Sequence, residues 1–375
     1  MIELFKAAIE RGASDIHVKS GDVVRIRLHG RLIPLTQQKL SHEQVKQLAI
    51  KLIPHEEDRA KVDQIFDYDC SWGLTGLGRF RVNILRQRGS FGIVMRVIPI
   101  DVPTFEDLRL PGVLAKIADH ERGLILVTGV TGSGKSSTMA ALINWINQRK
   151  PVHIVTLENP IEFLHRDIKA SITQRDIGTD TESFMSGLRA ALRQDPDVIL
   201  IGEMRDKETI DIALKAAETG HLVISTVHTR NAVQTVSRLI AVFEPTEQEM
   251  VRIRVSESIQ AVVSQRLLPR KDGKGRVVSC EVMPVTGTMR DCIRDPNRID
   301  EVYELIEEGH SQYGSQTFDQ HLMELVHADI VDFKIAMAAA NNPSDFDLKM
   351  NTLSGGPVRQ NQGLADQMSE LYGKM

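Results

Sequence analysis

Cysteine is scarce in this 375-residue chain: three residues, Cys70, Cys280 and Cys292, none of them paired as C-x-x-C. That excludes a disulfide scaffold and argues against a zinc ribbon. Aromatic residues make up only 5% of the chain, few for a surface that stacks on nucleic-acid bases. Neither sign of charge dominates: 46 Lys and Arg against 50 Asp and Glu leave −4, so no strongly basic domain points to DNA or RNA. No run approaches the roughly 18 uninterrupted apolar residues of a bilayer span. The start, MIELFKAAIERG, carries Glu3 and Glu10 and lacks the apolar core of a signal peptide. The expectation is a soluble, intracellular protein with no direct membrane span. What is present is 42% hydrophobic residues over a length that suits two or three domains, enough to build real cores.

Up to about Ile100 the pattern alternates between helix-like and strand-like. Residues 2 to 11 suit a short helix closed by Gly12. In VVRIRLHGRLIPL, Val24, Ile26 and Leu28 alternate with Arg25, Arg27 and His29, and His29-Gly30 is a turn signal, which reads as a hairpin with one buried face. From Arg79 to Ile98 the theme repeats, Phe80, Val82 and Ile84 alternating with Arg79, Arg81 and Asn83. A small α+β domain over 1–100 follows, then a linker over 101–111 that contains PTFEDLRLP. Beyond it the texture is α/β. GLILVTG (123–129) reads as a strand buried on both faces. Met139, Leu142, Ile143 and Ile146 then mark a helix, and further strands are expected at 153–157, 197–201 and 222–227. Between the last two, a helix buries Ile210, Ala213, Leu214 and Ala217, with Lys207, Asp211, Lys215 and Glu218 on a solvated face. Strands alternating with helices imply a mostly parallel sheet over 112–345. A polar tail, 346–375, is expected to be loosely ordered.

Gly129-Val130-Thr131-Gly132-Ser133-Gly134-Lys135-Ser136 matches G-x-x-x-x-G-K-[ST] and sits after a buried strand and before a helix, with Ser137 next in that helix. The glycines let backbone N–H groups close on phosphate oxygens, and the helix start adds partial positive charge there. Lys135 then bridges the β- and γ-phosphates of ATP, and the Ser136 hydroxyl ligates Mg²⁺.

Such a loop needs carboxylates at the ends of neighbouring strands, facing metal and water. LRQDPDVILIGEMRD (192–206) places Glu203 at the end of an apolar strand, and the phosphate loop favours a functional reading of it. VTLENPIEF (155–163) places Glu158 at another strand end with Glu162 following; for these two, a metal-side role and simple capping stand about even. His221 and His228 bracket LVISTV, either as ordinary hydrogen-bonded residues or as sensors of the phosphate. Arg81 and Arg96 read either as a solvated basic face or as guanidinium groups reaching a γ-phosphate.

Together these residues resemble the type IV pilus retraction ATPases (the PilT, twitching-motility family) of the secretion ATPase superfamily. GASDIHVKSG (12–21), GRFRVNILRQRG (78–89), GVTGSGKS (129–136), VTLENPIEF, LRQDPDVILIGEMRD, AETGHLVISTVHT (217–229) and QRLLPRKDGKGR (265–276) look like family blocks in family order, from about Met1 to Met350. The resemblance implies a RecA-like P-loop ATPase domain with a smaller α+β, PAS-like N-terminal domain. It also implies a homohexamer working in the cytoplasm, at the inner face of the inner membrane, against a pilus platform protein and beside a paralogous motor. Glu203 matches the Walker B catalytic glutamate, Glu158 and Glu162 the Asp box, and His221 and His228 the His box. Arg81 and Arg96 fit the arginines that the N-terminal domain brings to the nucleotide. Ser136, with Glu158 and Glu203 nearby, would hold the Mg²⁺. Two segments depart from the pattern: Glu158-Asn159-Pro160 stands where relatives carry Glu-Asp-Pro, and 288–295 keeps only Arg290, Ile293 and Arg294 of Ala-Ile-Arg-Asn-Leu-Ile-Arg-Glu. A pilus extension or type II secretion ATPase is the nearest alternative, and those relatives usually carry a longer N-terminal region and a four-cysteine module. A nucleic-acid motor is the more distant one.

Overall fold

The computed structural model describes residues 2–28, 30–74, 78–99 and 101–354. His29 of the expected turn, Ile100 at the expected domain boundary and 355–375 of the expected tail lie outside the described residues. The chain forms two compact units. One comprises Met1–Val102, Val155–Arg166 and Ile172–Ala191; the other Pro103–Ile154, Asp167–Ser171 and Leu192–Met375.

In chain order the strands are β1 (Asp15–Lys19), β2 (Val23–Leu28), β3 (Arg31–Lys39), β4 (Asp67–Leu74), β5 (Gly78–Gln87), β6 (Ser90–Ile98), β7 (Gly123–Thr128), β8 (His153–Glu158) and β9 (Ser171–Asp176). Then follow β10 (Val198–Ile201), β11 (Leu222–Val227), β12 (Ile259–Pro269) and β13 (Arg276–Pro284).

The first unit is built on an antiparallel sheet in the order β3-β2-β1-β6-β5-β4. Period-two alternation sends Phe80, Val82 and Ile84 of β5 into one core with Ile16, Ile26, Ile93 and Met95. The helix Ile2–Glu10 lays Phe5 and Ala8 on the same core, and the helix His42–Leu52 adds Val45, Leu48, Ala49 and Leu52. Ser41 starts that second helix with a capping box, its side chain accepting from the Gln44 N–H while Gln44 reaches back to the Ser41 N–H. Removing one side of such a box costs about 1 kcal/mol.

In the second unit β7 is buried along its whole length, as its unbroken apolar run requires. β11 runs parallel to it, with Leu222 opposite Gly123 and Val227 opposite Thr128. β10 is parallel to β11, and β12 is parallel to β7 on its other side, with Ser264 opposite Thr128. β13 returns antiparallel to β12. The helix Lys135–Arg149 buries Met139, Leu142, Ile143 and Ile146; the helix Lys207–Glu218 buries Ile210, Ala213, Leu214 and Ala217. Its expected solvated face is partly covered, because Arg254 of the helix Gln248–Ser258 bridges Asp211 at 2.8 Å and Glu218 at 2.6 Å.

Two segments carry more structure than their composition suggests. Phe105–Leu108, in the expected linker, is a short helix opened by a Thr104–Asp107 capping box, with Phe105 stacked 5.1 Å from Trp145. Residues 343–354 form a helix rather than the start of a loose tail, because Phe346 and Met350, one turn apart, are buried against Leu268, Val277, Leu322 and Leu325. Among the described residues no helix is long and apolar enough to cross a membrane.

Candidate nucleotide site

β7 ends at Thr128 and delivers the chain into the glycine-rich loop. Gly129 has φ 143°, and a Cβ there would lie 2.5 Å from Ser133 Oγ and 2.6 Å from the Gln265 carbonyl oxygen, so only glycine fits. Gly134, at φ 94°, is the N-cap of the helix Lys135–Arg149. Lys135 folds back over the loop, its Nζ donating to the carbonyls of Gly129 at 3.0 Å and Val130 at 3.1 Å. A helix start leaves its first N–H groups without helical carbonyls; here Thr138 N–H bonds back to Gly134 at 3.1 Å. Ser133 Oγ is buried without a hydrogen-bond partner. A tight glycine turn, an ammonium and an orphaned hydroxyl together fit phosphate oxygens. Val130 and Thr131 stand exposed on the rim, while Gly134, Ser136 and Ser137 are half-buried.

Parallel register carries two further groups to the same edge. Thr128 pairs with Val227, and Ile201 pairs with Ser225. The chain therefore leaves β7 into the loop, β11 into His228 and β10 into Gly202-Glu203 at neighbouring carboxyl ends, where open parallel sheets bind ligands. Thr226 fastens the Glu203 turn: its Oγ1 donates to Gly202 O at 2.6 Å and its carbonyl accepts the Met204 N–H at 3.1 Å. Glu203 Oε2 then lies 2.8 Å from Arg205 Nε and 3.5 Å from His228 Nε2. The Arg205 side chain is 71% exposed, so solvent screens that pair and the carboxylate stays free to take another partner.

His221 does not join this group. It precedes Leu222, the opposite end of β11, about 20 Å away at 3.3 Å per residue. There its Nδ1 meets the Ala216 carbonyl at 3.0 Å and Thr219 Oγ1 at 3.3 Å, closing the helix before it. The length of β11 thus sets the two histidines at opposite ends of the strand, with His228 the one beside Glu203.

The other expected residues lie in the first unit. Glu158 Oε1 accepts from Thr156 Oγ1 at 2.7 Å and Gln174 Nε2 at 3.1 Å, and its carboxylate also takes the Glu162 N–H. Burial nevertheless raises the Glu158 carboxyl above its ordinary range. Gln174 completes the knot by donating to Phe163 O and accepting the His165 N–H. Glu158 thus shapes the loop after β8, while the Glu162 side chain points out exposed.

Arg81 and Arg96 are direct cross-strand neighbours on β5 and β6, both exposed. Like charges so placed repel, and Asp15, opposite Arg96 on β1, offsets them: Arg96 Nε donates to Asp15 Oδ1 at 2.9 Å, with Arg27 Nε 3.7 Å away on the other side. Burial raises the Asp15 carboxyl, but hydrogen bonds from Ser14 and Arg96 outweigh it and hold the group below the usual carboxylate range.

Sequence reasoning misses Asp176. It is 2% exposed and accepts from Ser71 Oγ at 2.5 Å and Arg79 Nη2 at 2.8 Å. With Arg81, Asn159, Pro160 and His55 it lines a cavity of about 180 Å³. Its only sequence signal is the turn IGTD that follows β9, too weak to find it. Gln265 is also missed: buried on β12, it donates to Thr138 Oγ1 at 2.7 Å beneath the phosphate loop.

The family model described as "Type II/IV secretion system protein" matches residues 1–328. A type IV pilus retraction ATPase, PilT, of Pseudomonas aeruginosa is 42% identical over 344 residues, 92% of this chain and 99% of that protein. A twitching motility protein of Neisseria gonorrhoeae is 43% identical over 335 residues, covering 88% of this chain and 89% of that one. The crystal structure of the pilus retraction motor PilT with bound ADP superposes with a TM-score of 0.84 at 41% identity, over 93% of this chain and 99% of that one. By the family match over residues 1–328 and the identity to these relatives across most of its length, the chain belongs to the type IV pilus retraction ATPases of the type II/IV secretion family.

Proposed function

We propose that this chain is a hexameric, ATP-hydrolysing motor that powers type IV pilus retraction at the cytoplasmic face of the inner membrane, acting on a platform protein there. The observation that carries the reading is the shared edge at which the phosphate loop, Glu203 and His228 end three adjacent strands. Its relatives' names, a retraction ATPase and a twitching motility protein, supply the work that the hydrolysis drives.

The loop amides and Lys135 hold the β- and γ-phosphates. Ser136 offers an oxygen ligand and Glu203 a second oxygen nearby, the hard donors that Mg²⁺ takes along with substrate phosphates and water. That ion would supply charge neutralisation on the β- and γ-oxygens. Glu203 orients the attacking water and accepts its proton. The water oxygen bonds to the γ-phosphorus, the bond to the β,γ-bridging oxygen breaks, and ADP and phosphate leave. Glu158 acts by shaping its loop, with Glu162 displayed beside it. The exposed pair Arg81 and Arg96 stabilises charge on the transferred phosphoryl group of a neighbouring subunit.

Mixing Arg96→Ala subunits with Glu203→Gln subunits tests the shared site: each alone is slow, and partial recovery of ATP turnover is expected on mixing. No recovery at any ratio would place the whole site in one chain. Expression in a strain that has pili but cannot withdraw them should restore retraction, and failure there removes the assignment to retraction.

A further inference from the structure

One buried acid outside the groups placed at ATP is tied to the same edge of the second unit. Glu281 lies on β13 and is 1% exposed, among Val277, Val278, Cys280, Val282 and Met283, all buried. A carboxylate in such surroundings is costly unless it is well partnered, yet its Oε2 has no hydrogen-bond partner. Its Oε1 accepts the Ala232 N–H at 2.7 Å, and the carboxylate also draws on the side chain of Ser264 opposite it.

Ala232 is the first residue of the helix Ala232–Ala241, and Asn231 is its N-cap, accepting from the Gln234 N–H at 2.8 Å. The first amides of a helix lack helical partners, and local side chains usually satisfy them. Here one is satisfied from a different strand, 49 residues along the chain. Two connections follow. Running back from Ala232, Asn231, Arg230 and Thr229 lead to His228, which stands beside Glu203. That short segment is closed on itself, Thr229 Oγ1 meeting Thr235 Oγ1 at 2.6 Å and Thr235 Oγ1 donating to Asn231 O at 2.7 Å, so it moves with the helix start. Across the sheet, the register partner of Glu281 is Ser264, whose hydroxyl accepts from Thr128 Oγ1 at 3.0 Å. Thr128 is the residue before the phosphate loop.

We propose that Glu281 is a positioning residue: it anchors the helix that follows His228 to the strand pair beside the phosphate loop, and so fixes the His228 imidazole against Glu203. It touches neither nucleotide nor water. The proposal rests on the hydrolytic role given to Glu203 above.

The test uses the full chain and three variants. Glu281→Met removes the acceptor at nearly constant volume. Ala232→Pro removes the donor instead; proline is tolerated at the first helical position, and Asn231, at φ −153° and ψ 172°, already has the extended backbone that precedes a proline. Glu281→Gln keeps an acceptor oxygen. Loss of the anchor should lower kcat about tenfold in the first two variants with KM for ATP within about twofold, since misplacement of a reacting group costs turnover rather than binding. Glu281→Gln should recover kcat to within about threefold of the parent. In nucleotide-free protein, amide exchange across 228–235 should quicken about tenfold in Glu281→Met and stay unchanged in β7 and β12. That exchange needs no turnover: if the parent chain does not hydrolyse ATP, the proposed function fails while exchange still decides the anchor. Should Glu281→Met not fold, Ala232→Pro is read by the same criteria. Unchanged exchange at 228–235 overturns the proposal. So does kcat within twofold of the parent, or faster exchange throughout the sheet with Glu281→Gln no better than Glu281→Met.

Discussion

His228 Nε2 lies 3.5 Å from Glu203 Oε2, the same oxygen that Arg205 Nε approaches at 2.8 Å. One carboxylate oxygen faces two nitrogen-bearing side chains, at the place where the hydrolysis proposed above needs an acceptor for a proton from water. The two contacts differ in kind. Arg205 reaches in from solvent on a flexible side chain, whereas His228 is held by the end of a fully buried strand. On the function proposed above, the histidine sets the direction of the carboxylate and the arginine yields when a substrate arrives.

Glu203→Gln should lower ATP turnover by about 10²- to 10⁴-fold, the usual worth of a positioned base, and leave nucleotide affinity within about threefold. His228→Ala should cost less, about tenfold, because it removes orientation and not the base itself. Steady-state hydrolysis and titration with a fluorescent nucleotide measure both. A Glu203→Gln protein that turns over like the parent would remove the assignment; one that no longer binds nucleotide would make Glu203 a structural residue.

The glycines of the loop should separate cleanly. At Gly129 a methyl group would strike Ser133 Oγ and the Gln265 carbonyl, and the second of these is backbone that cannot swing away. At Gly132 a methyl group meets nothing within 4 Å, and only the φ of 78° opposes it. Gly132→Ala should thus cost about 1 kcal/mol, with modestly weaker nucleotide binding. Gly129→Ala should displace the loop from the sheet and abolish measurable binding. Equal effects in a melting and binding comparison would contradict this geometry.

Two buried groups, one on β13 and one on the helix Phe318–His327, give the pH dependence. The Cys280 N–H donates to His321 Nδ1 at 2.9 Å, and burial pushes that imidazole down to about 4. Next to Cys280, burial pushes the Glu281 carboxyl up to about 7, against the pull of Arg266 and with the push of Asp319. Unfolded, they titrate near ~6.5 and ~4.3. The signs oppose. The folded value of His321 is depressed, so its contribution is complete above about pH 6.5 and is lost as pH falls towards 4. The folded value of Glu281 is raised, so its contribution is complete below about pH 4.3 and is lost as pH rises through 7. Between about pH 4.5 and 6.5 the two offset each other in the parent. His321→Asn, which keeps an acceptor for the Cys280 N–H, should gain about 2 kcal/mol over that window on acidification, at 1.36 kcal/mol per pH unit. Glu281→Gln should lose a similar amount. Denaturation curves at pH 6.5 and 4.5 measure it, and variants that run parallel to the parent would show that these groups do not titrate as described.

Most of the nucleotide edge is legible in the residues themselves. An apolar run as dense as 123–128 has to be buried on both faces, the loop after it needs its glycines, and the parallel strands 198–201 and 222–227 are apolar for the same reason. Residues on opposite sides of a strand end are harder. His221 and His228 look equivalent as letters, and only the direction of β11 puts one at the phosphate edge and the other behind it. Long-range partners are not legible at all. Nothing near Ala232 announces that Glu281 will take its N–H, and nothing near Asp176 announces Ser71 and Arg79. Phe346 reads as one apolar residue in a polar tail until its helix finds a core to cover.

Asp15 offers a way to separate folding from function in the first unit. It is the one acid set between Arg96 and Arg27 in the cross-strand row, and it aims the Arg96 guanidinium without covering it, since that side chain remains 68% exposed. An ion pair with so exposed a partner contributes little to stability, about 1 kcal/mol or less. Direction is another matter, because a forked donor must arrive at a phosphate in the right plane. Asp15→Asn keeps an acceptor but drops the charge that restrains the repulsion between Arg96 and Arg81. We expect its melting temperature to fall by only a few degrees, consistent with that small energy, while ATP turnover of the assembled protein drops about three- to tenfold. Arg96→Ala should be slower still, and adding Asp15→Asn to it should change turnover no further, since both act through one guanidinium. Independent losses in the double variant, or a large fall in melting temperature with turnover intact, would make Asp15 a folding residue and leave the two arginines as a solvated face.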